Sequence, residues 1–220
     1  MLILSHRGFH RAHKENTIEA FNAALKFGVD GIETDIRLTM DKVPILFHDR
    51  LSPNCFPINK ISYKELIQEV GFQAPTLEEA LRFNDKIFWN LEIKTPDSVE
   101  IVVPILRKFK LSHRIIITSF FHNVLSLFAN KLNIDCGVLI AHQPIDTRSF
   151  VNKISSIDPQ INTIVLPCEF LSEDNASIIH NNDLNLFVYD VEIPEDFAKC
   201  QDLAVEAIIT NRPDLATVQV

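Results

Sequence analysis

Short runs of β-branched and aromatic residues alternate along this chain with stretches whose apolar positions recur every three or four residues. The runs LIL, VDGIETDI, VPILFHD, IFWNLEIK, RIIITSF, CGVLIA, NTIVLP, NLFVYDV and EAIIT read as strands. Residues 17–27, 63–70, 76–84, 97–109, 122–132 and 172–182 read as amphipathic helices. Strand and helix in turn, with no linker, predict an α/β fold with a parallel sheet, and units of this size predict a TIM-type (β/α)₈ barrel. Its 220 residues fall short of the roughly 250 typical of such barrels, so one compact domain over residues 1–220 is expected. One join is irregular. TMDK leaves no room for a crossover helix between GIETDIRL and VPILFHD, so these strands form a hairpin or the chain returns extended. Nine strand candidates for eight barrel places also make at least one of them accessory. A doubly wound open sheet is the competing architecture, but no GxGxxG follows any strand, which weakens a dinucleotide reading.

The opening stretch LSHRGFHRAHKENT, residues 4–17, is too polar and too dense in titratable groups for a core. It ends where a helix begins: Asn16 is placed to cap that helix, Glu19 three residues on completes a capping-box pattern, and Gly28 closes it. Ile18, Phe21, Ala24 and Leu25 supply the helical spacing between. HRGFHRAHKE is therefore a loop from a first strand to a first helix. In a barrel such loops lie on the C-terminal face, where active sites are built.

Strand alternation decides which side chains meet. In GIETDI, Ile32, Thr34 and Ile36 share one face and Glu33 and Asp35 the other; in WNLEIK, Asn90, Glu92 and Lys94 oppose Leu91 and Ile93. Buried unpaired charge is costly, so convergence of Glu33, Asp35 and Glu92 on a cation is the economical reading. An all-oxygen set points to a hard ion, calcium or magnesium. The plainer alternative is ordinary ion pairing, Glu33 with Arg37 or Arg7 and Glu92 with Lys94. His6 and His48 each stand just past a strand, and imidazoles at such positions suit a general acid and a general base. His10 and His13 share the first loop and are expected to be solvated; His113, His122, His142 and His180 are scattered and carry no assignment.

Composition narrows the partners. A formal charge of −8 with no basic block argues against nucleic acid, so an anionic substrate must be drawn by a local positive site. Arg7 and Lys94 are the candidates for phosphate contact. With a divalent cation and neutral histidines, they leave the three carboxylates with about one net positive charge, the complement of a phosphodiester. Cys55, Cys136, Cys168 and Cys200 lie far apart and form no CxxC pair, so buried free thiols in a reducing compartment are expected. Neither a signal peptide nor a membrane-length apolar run is evident, which predicts a cytoplasmic protein without membrane insertion.

HRG…ENT…FNAALKFGVDGIETDIRLTMDKVPILFHD, followed by LEIK, resembles the glycerophosphodiester phosphodiesterases, a branch of the phospholipase-C-like phosphodiesterase barrels. IIITSF, VYDVE and AIITNRPD are similar to later motifs of the same family. The resemblance implies metal-dependent hydrolysis of a small glycerophosphodiester to glycerol 3-phosphate and an alcohol. Carried over by position, it makes His6 and His48 the acid–base pair, Glu33, Asp35 and Glu92 the metal ligands, and Arg7 and Lys94 the phosphate contacts. The nucleophile is then either water or the substrate's own 2-hydroxyl. Departures from the family pattern are Lys14 for a proline, Tyr189 for a tryptophan, Glu192 for an asparagine and Asn211 for an aspartate. An arginine–threonine stretch usual after HDRL is replaced by SPNCFPINK, and residues 51–75 are short where many members carry a capping insertion. Three other readings stay open: a lysophospholipase D-type enzyme, a non-catalytic phospho-ligand binder, and a Schiff-base aldolase on Lys94. The last is disfavoured because Glu92 beside Lys94 keeps the amine protonated.

Overall fold

The computed structural model describes residues 1–215; residues 216–220 of the expected domain span lie outside the described residues. Its strands are β1 (Leu2–His6), β2 (Gly31–Leu38), β3 (Pro44–Leu46), β4 (Phe88–Ile93) and β5 (Arg114–Ser119). They continue with β6 (Cys136–Leu139), β7 (Ile161–Pro167), β8 (Asn185–Tyr189) and β9 (Ala207–Thr210). The helices are α1 (Ile18–Leu25), α2 (Tyr63–Val70), α3 (Leu77–Phe83) and α4 (Val99–Phe109). After them come α5 (His122–Leu132), α6 (Thr147–Ser155), α7 (Glu173–His180) and α8 (Pro194–Asp202).

Every strand but β3 runs parallel to its neighbours, in the order β1-β9-β8-β7-β6-β5-β4-β2, and β1 pairs back onto β2 to close a (β/α)₈ barrel. β3 pairs antiparallel with β2, so the short turn between them is a hairpin and the ninth strand is the accessory one. Outward-facing Ile32, Ile36, Trp89 and Leu91 pack with helix residues such as Phe21 and Phe128 in the outer core. Inward-facing Leu4, Ile116, Val165, Phe187, Ala207 and Ile209 fill the barrel interior. Burying side chains of this kind contributes about 1.5–3 kcal/mol for each large one, so the plug is a firm floor for polar residues above it. Only glycine fits at position 31: a Cβ there would stand 2.0 Å from the Phe88 carbonyl oxygen, across the β2–β4 seam.

Four local expectations are corrected. α1 is capped by Thr17, whose Oγ1 accepts from the Ala20 N–H at 3.2 Å; Asn16 is left-handed and its amide is used elsewhere. α6 and α8 are two helices absent from the predicted set; they bury Val151 and Ile154, and Phe197 and Cys200. Cys55 is exposed, unlike Cys136, Cys168 and Cys200. His10 is not a solvated side chain, as described below. The excursion before α3 has its own small cluster of Ile45, Ile58, Ile61 and Leu66, with α2 started by a Ser62–Glu65 capping box. No helix among the described residues is long and apolar enough to cross a membrane.

Candidate active site

Strand register gathers the acidic residues. His6 on β1 stands beside Glu33 on β2, and Asp35 on β2 stands beside Glu92 on β4. Their inward alternation lifts all four above the apolar plug, at the C-terminal end of the barrel. One oxygen from each of Glu33, Asp35 and Glu92 lies within 4.8 Å of the others, and all three residues are buried. Burial, then Asp35 and Glu92, push Glu33 well above the usual carboxylate range. Its Oε2 is buried without a hydrogen-bond partner, and His6 Nε2 stands 3.7 Å away. Burial works against ionised Asp35 too, but Lys94 and Arg7 outweigh it and hold Asp35 at about 2. Lys94 Nζ is 3.1 Å from Asp35 Oδ1 and 2.7 Å from Glu92 Oε1, and Arg7 Nε is 3.0 Å from Asp35 Oδ2. Burial pushes Glu92 up to about 7 in spite of Lys94.

Ordinary ion pairing therefore accounts for part of the cluster only. Glu92 does pair with Lys94, but Arg7 turns to Asp35 and Glu15, and Arg37 donates through Nε to the His48 carbonyl at 2.7 Å. Glu33 is left without a lysine or arginine ion pair among the described residues. An oxygen-only, buried set with an undonated carboxylate oxygen fits a hard divalent cation.

Asn16 is the first residue missed by sequence reasoning. Its Nδ2 donates to Asp35 Oδ2 at 2.9 Å, and its Oδ1 accepts from Thr34 Oγ1 at 2.6 Å. These bonds aim the Asp35 carboxylate, and they require the left-handed backbone at Asn16, φ 57°. Arg7 is also left-handed at φ 56°, a strained conformation for arginine that turns the chain at the end of β1. Gly8 follows at φ 78°, where a Cβ would stand 2.6 Å from the Ala20 carbonyl carbon.

The two predicted histidines are held differently. Asn211 Nδ2 donates to Glu192 Oε1 at 2.7 Å, which turns Asn211 Oδ1 toward His6 Nδ1 at 2.6 Å and His10 Nε2 at 2.7 Å. A carbonyl oxygen only accepts, so His6 carries its proton on Nδ1 and His10 on Nε2. Burial and then Arg7 lower His6 to about 4, leaving a neutral ring with its Nε2 lone pair on the Glu33 side. His48 is held by its chain neighbour, with Nδ1 2.9 Å from Asp49 Oδ1. Nothing local could have revealed the Asn211 bond, which spans 205 residues.

A cavity of about 240 Å³ opens over this floor. His6, Arg7, Glu33, His48, Glu92 and Lys94 all line it, and Asp35 lies behind Arg7 and Lys94. Phe120, Tyr189 and Asp190 complete the wall, with Lys94 Nζ 5.8 Å from the Phe120 ring centre. Burial opposes the charge on Lys94, yet Asp35 and Glu92 raise its pKa overall, so the amine is a poor Schiff-base nucleophile.

The sequence profile of the glycerophosphoryl diester phosphodiesterase family matches residues 6–215. A glycerophosphodiester phosphodiesterase of Bacillus altitudinis is 28% identical over 240 residues, covering 97% of this chain and 96% of its own. A crystal structure of the Thermotoga maritima glycerophosphodiester phosphodiesterase superposes with TM-score 0.85 at 25% identity, covering 98% of this chain and 96% of that one. An Oleispira antarctica phosphodiesterase solved with its product sn-glycerol-3-phosphate has the same fold, with TM-score 0.86 at 18% identity, covering 99% of this chain and 96% of that one.

Proposed function

Because the chain belongs to the glycerophosphoryl diester phosphodiesterase family, we propose that it hydrolyses glycerophosphodiesters to glycerol 3-phosphate and an alcohol, using a divalent cation and two histidines. The observation that carries this reading is the convergence of three buried carboxylates with His6 and His48 on one cavity. The product held by the Oleispira antarctica relative supports glycerol 3-phosphate as the half that is kept.

Glu33, Asp35 and Glu92 are the residues that would hold calcium or magnesium. Such an ion supplies charge neutralisation at the phosphoryl oxygens and a lowered pKa for a nearby hydroxyl. Asn16 keeps Asp35 turned to the cluster. Lys94 acts on the phosphate as a point charge, and Arg7 faces the same cavity with its guanidinium steadied by Asp35 and Glu15. His6, neutral with its Nδ1 proton anchored, accepts through Nε2 the proton of the nucleophile, either water or the 2-hydroxyl of the substrate. His48, oriented by Asp49, donates a proton to the oxygen of the departing alcohol. The P–O bond to that alcohol breaks as the bond to the nucleophile forms; with water this gives glycerol 3-phosphate directly, and with the 2-hydroxyl it gives a cyclic phosphate that water then opens to glycerol 3-phosphate.

Asn211 is a positioning residue in this scheme. Replacing it by leucine keeps the volume but removes the acceptor that sets the His6 tautomer. Loss of a residue in this supporting role lowers kcat about 10- to 100-fold, and KM is expected to move little. Nitrogen-15 NMR of the histidine rings should show the Nδ1-protonated form of His6 depleted in Asn211→Leu. An unchanged tautomer with reduced kcat would refute the positioning role.

The direct test is release of glycerol 3-phosphate from glycerophosphocholine and glycerophosphoethanolamine with calcium, magnesium or excess chelator. Turnover that depends on the ion is expected; no turnover with either ion would remove the reading. One observation favours a second reading. Phe120 lines the cavity and is exposed, and the exposed Phe121 follows it in the chain, an apolar edge suited to the acyl chain of a lysophospholipid. Lysophosphatidylcholine as substrate, with free choline as the readout, tests that lysophospholipase D activity.

A further inference from the structure

Beside the main cavity is a second, of about 190 Å³, bounded by Arg37, Arg50, Lys94, Thr95, Pro57 and Asn59. Its polarity is one-sided. Arg37 and Arg50 form no ion pair among the described residues, and no acidic side chain lines the space. Arg37 is half-buried, and burial lowers its pKa although Asp35 and Glu92 favour its charge. Thr95 lines the same space immediately before the short 3₁₀ turn Pro96–Ser98. The walls are built, not loose. Ile58 N–H donates to the Arg50 carbonyl at 3.0 Å, and Leu51 and Pro57 are bridged as an antiparallel pair.

Two links tie this annex to the reaction. Lys94 lines both cavities, and Arg37 Nε holds the backbone carbonyl of His48, whose ring faces the main one. Resting on the proposed role of His48 as proton donor to the departing alcohol, the annex lies on the side of that alcohol. The forked guanidiniums of Arg37 and Arg50 match the oxygens and charge of a phosphomonoester. We propose that the annex is a subsite for a phosphate group carried by the leaving alcohol, so that the enzyme prefers glycerophosphodiesters whose alcohol is itself phosphorylated.

The test compares glycerophosphoglycerol with the same diester bearing a terminal phosphomonoester. The phosphorylated diester is expected to have a kcat/KM about tenfold higher or more, mostly through KM, as loss of one charged hydrogen bond would imply. Arg50→Gln should bring that ratio near one while leaving glycerophosphoglycerol within about twofold of wild type, because Arg50 is an exposed residue outside the reacting centre. Arg50→Glu should invert the preference. A wild-type ratio of one or less, or a ratio that survives Arg50→Gln, overturns the subsite. So does the pattern expected of a site for free anion, in which inorganic phosphate alters glycerophosphoglycerol turnover and both diesters are treated alike. If wild type cleaves neither diester, the phosphodiesterase reading fails, and calorimetric binding of the phosphorylated diester judges the subsite separately. Affinity about tenfold weaker in Arg50→Gln supports it, and equal affinity refutes it.

Discussion

Stripping divalent cations from the protein is expected to lower phosphodiester hydrolysis by about a thousandfold or more, since an ion at Glu33, Asp35 and Glu92 would supply several kcal/mol of transition-state stabilisation. The same ion should be visible without any assay of turnover. At a concentration about 100 times Kd it adds about 2.7 kcal/mol to the folded state, which for a chain of this size is a rise in Tm of roughly 5–11 °C. Glu33→Gln separates the two effects by sign. It removes a buried carboxylate that lacks a lysine or arginine partner, so without metal the variant should be as stable as wild type or more so. It should nevertheless lose both the metal-induced rise in Tm and the activity. A variant that kept the rise would show that Glu33 is not a ligand. Differential scanning calorimetry with calcium and with magnesium also tells which ion the cluster prefers.

His6→Ala and His48→Ala are each expected to lower kcat about 10²- to 10⁴-fold, the usual worth of a positioned acid or base. Far-UV circular dichroism should be unchanged, because both rings line the cavity and neither belongs to the apolar clusters of the fold. Their roles are distinguished by the leaving group. A glycerophospho-p-nitrophenyl ester expels an anion that needs no proton, so it should rescue His48→Ala and not His6→Ala. The opposite pattern would exchange the two roles. Near-normal turnover of glycerophosphocholine by either variant would end the two-histidine mechanism. The effects are not expected to add in the double variant, since acid and base serve one proton inventory.

The first loop shows how far local pattern reaches. ENT was legible as the start of a helix, and the helix is there, but the capping role belongs to Thr17 while Asn16 turns inward to Asp35. An asparagine has the same short amide whether it caps a helix or orients a carboxylate, and only the position of β2 behind the loop decides between them. His10 was equally ambiguous. Its bond to Asn211 depends on β9 closing against β1, a contact between the two ends of the described chain. The replacements Glu192 and Asn211 looked like separate departures in sequence, yet they are hydrogen-bonded to each other and support His6 together.

What the sequence determined by itself follows from local periodicity. The period of two in GIETDI puts Glu33 and Asp35 on one strand face, and that in WNLEIK puts Glu92 with Asn90 and Lys94, whatever the strands pair with, and strand–helix alternation points to a parallel sheet. Two histidines just past strand ends are likewise readable, because each needs only its own strand. The tertiary structure decided the rest. Register sets Asp35 level with Glu92 and His6 level with Glu33, and a one-residue slip in either pairing would send those side chains to the outer core. Closure of the barrel brings Asn211 to His6, and the hairpin of β2 and β3 brings the His48 carbonyl to Arg37 and the His48 ring to the cavity. Apart from that hairpin, these are contacts between distant segments, chosen by the packing of the whole barrel, and no short stretch of the chain carries the energy that selects them.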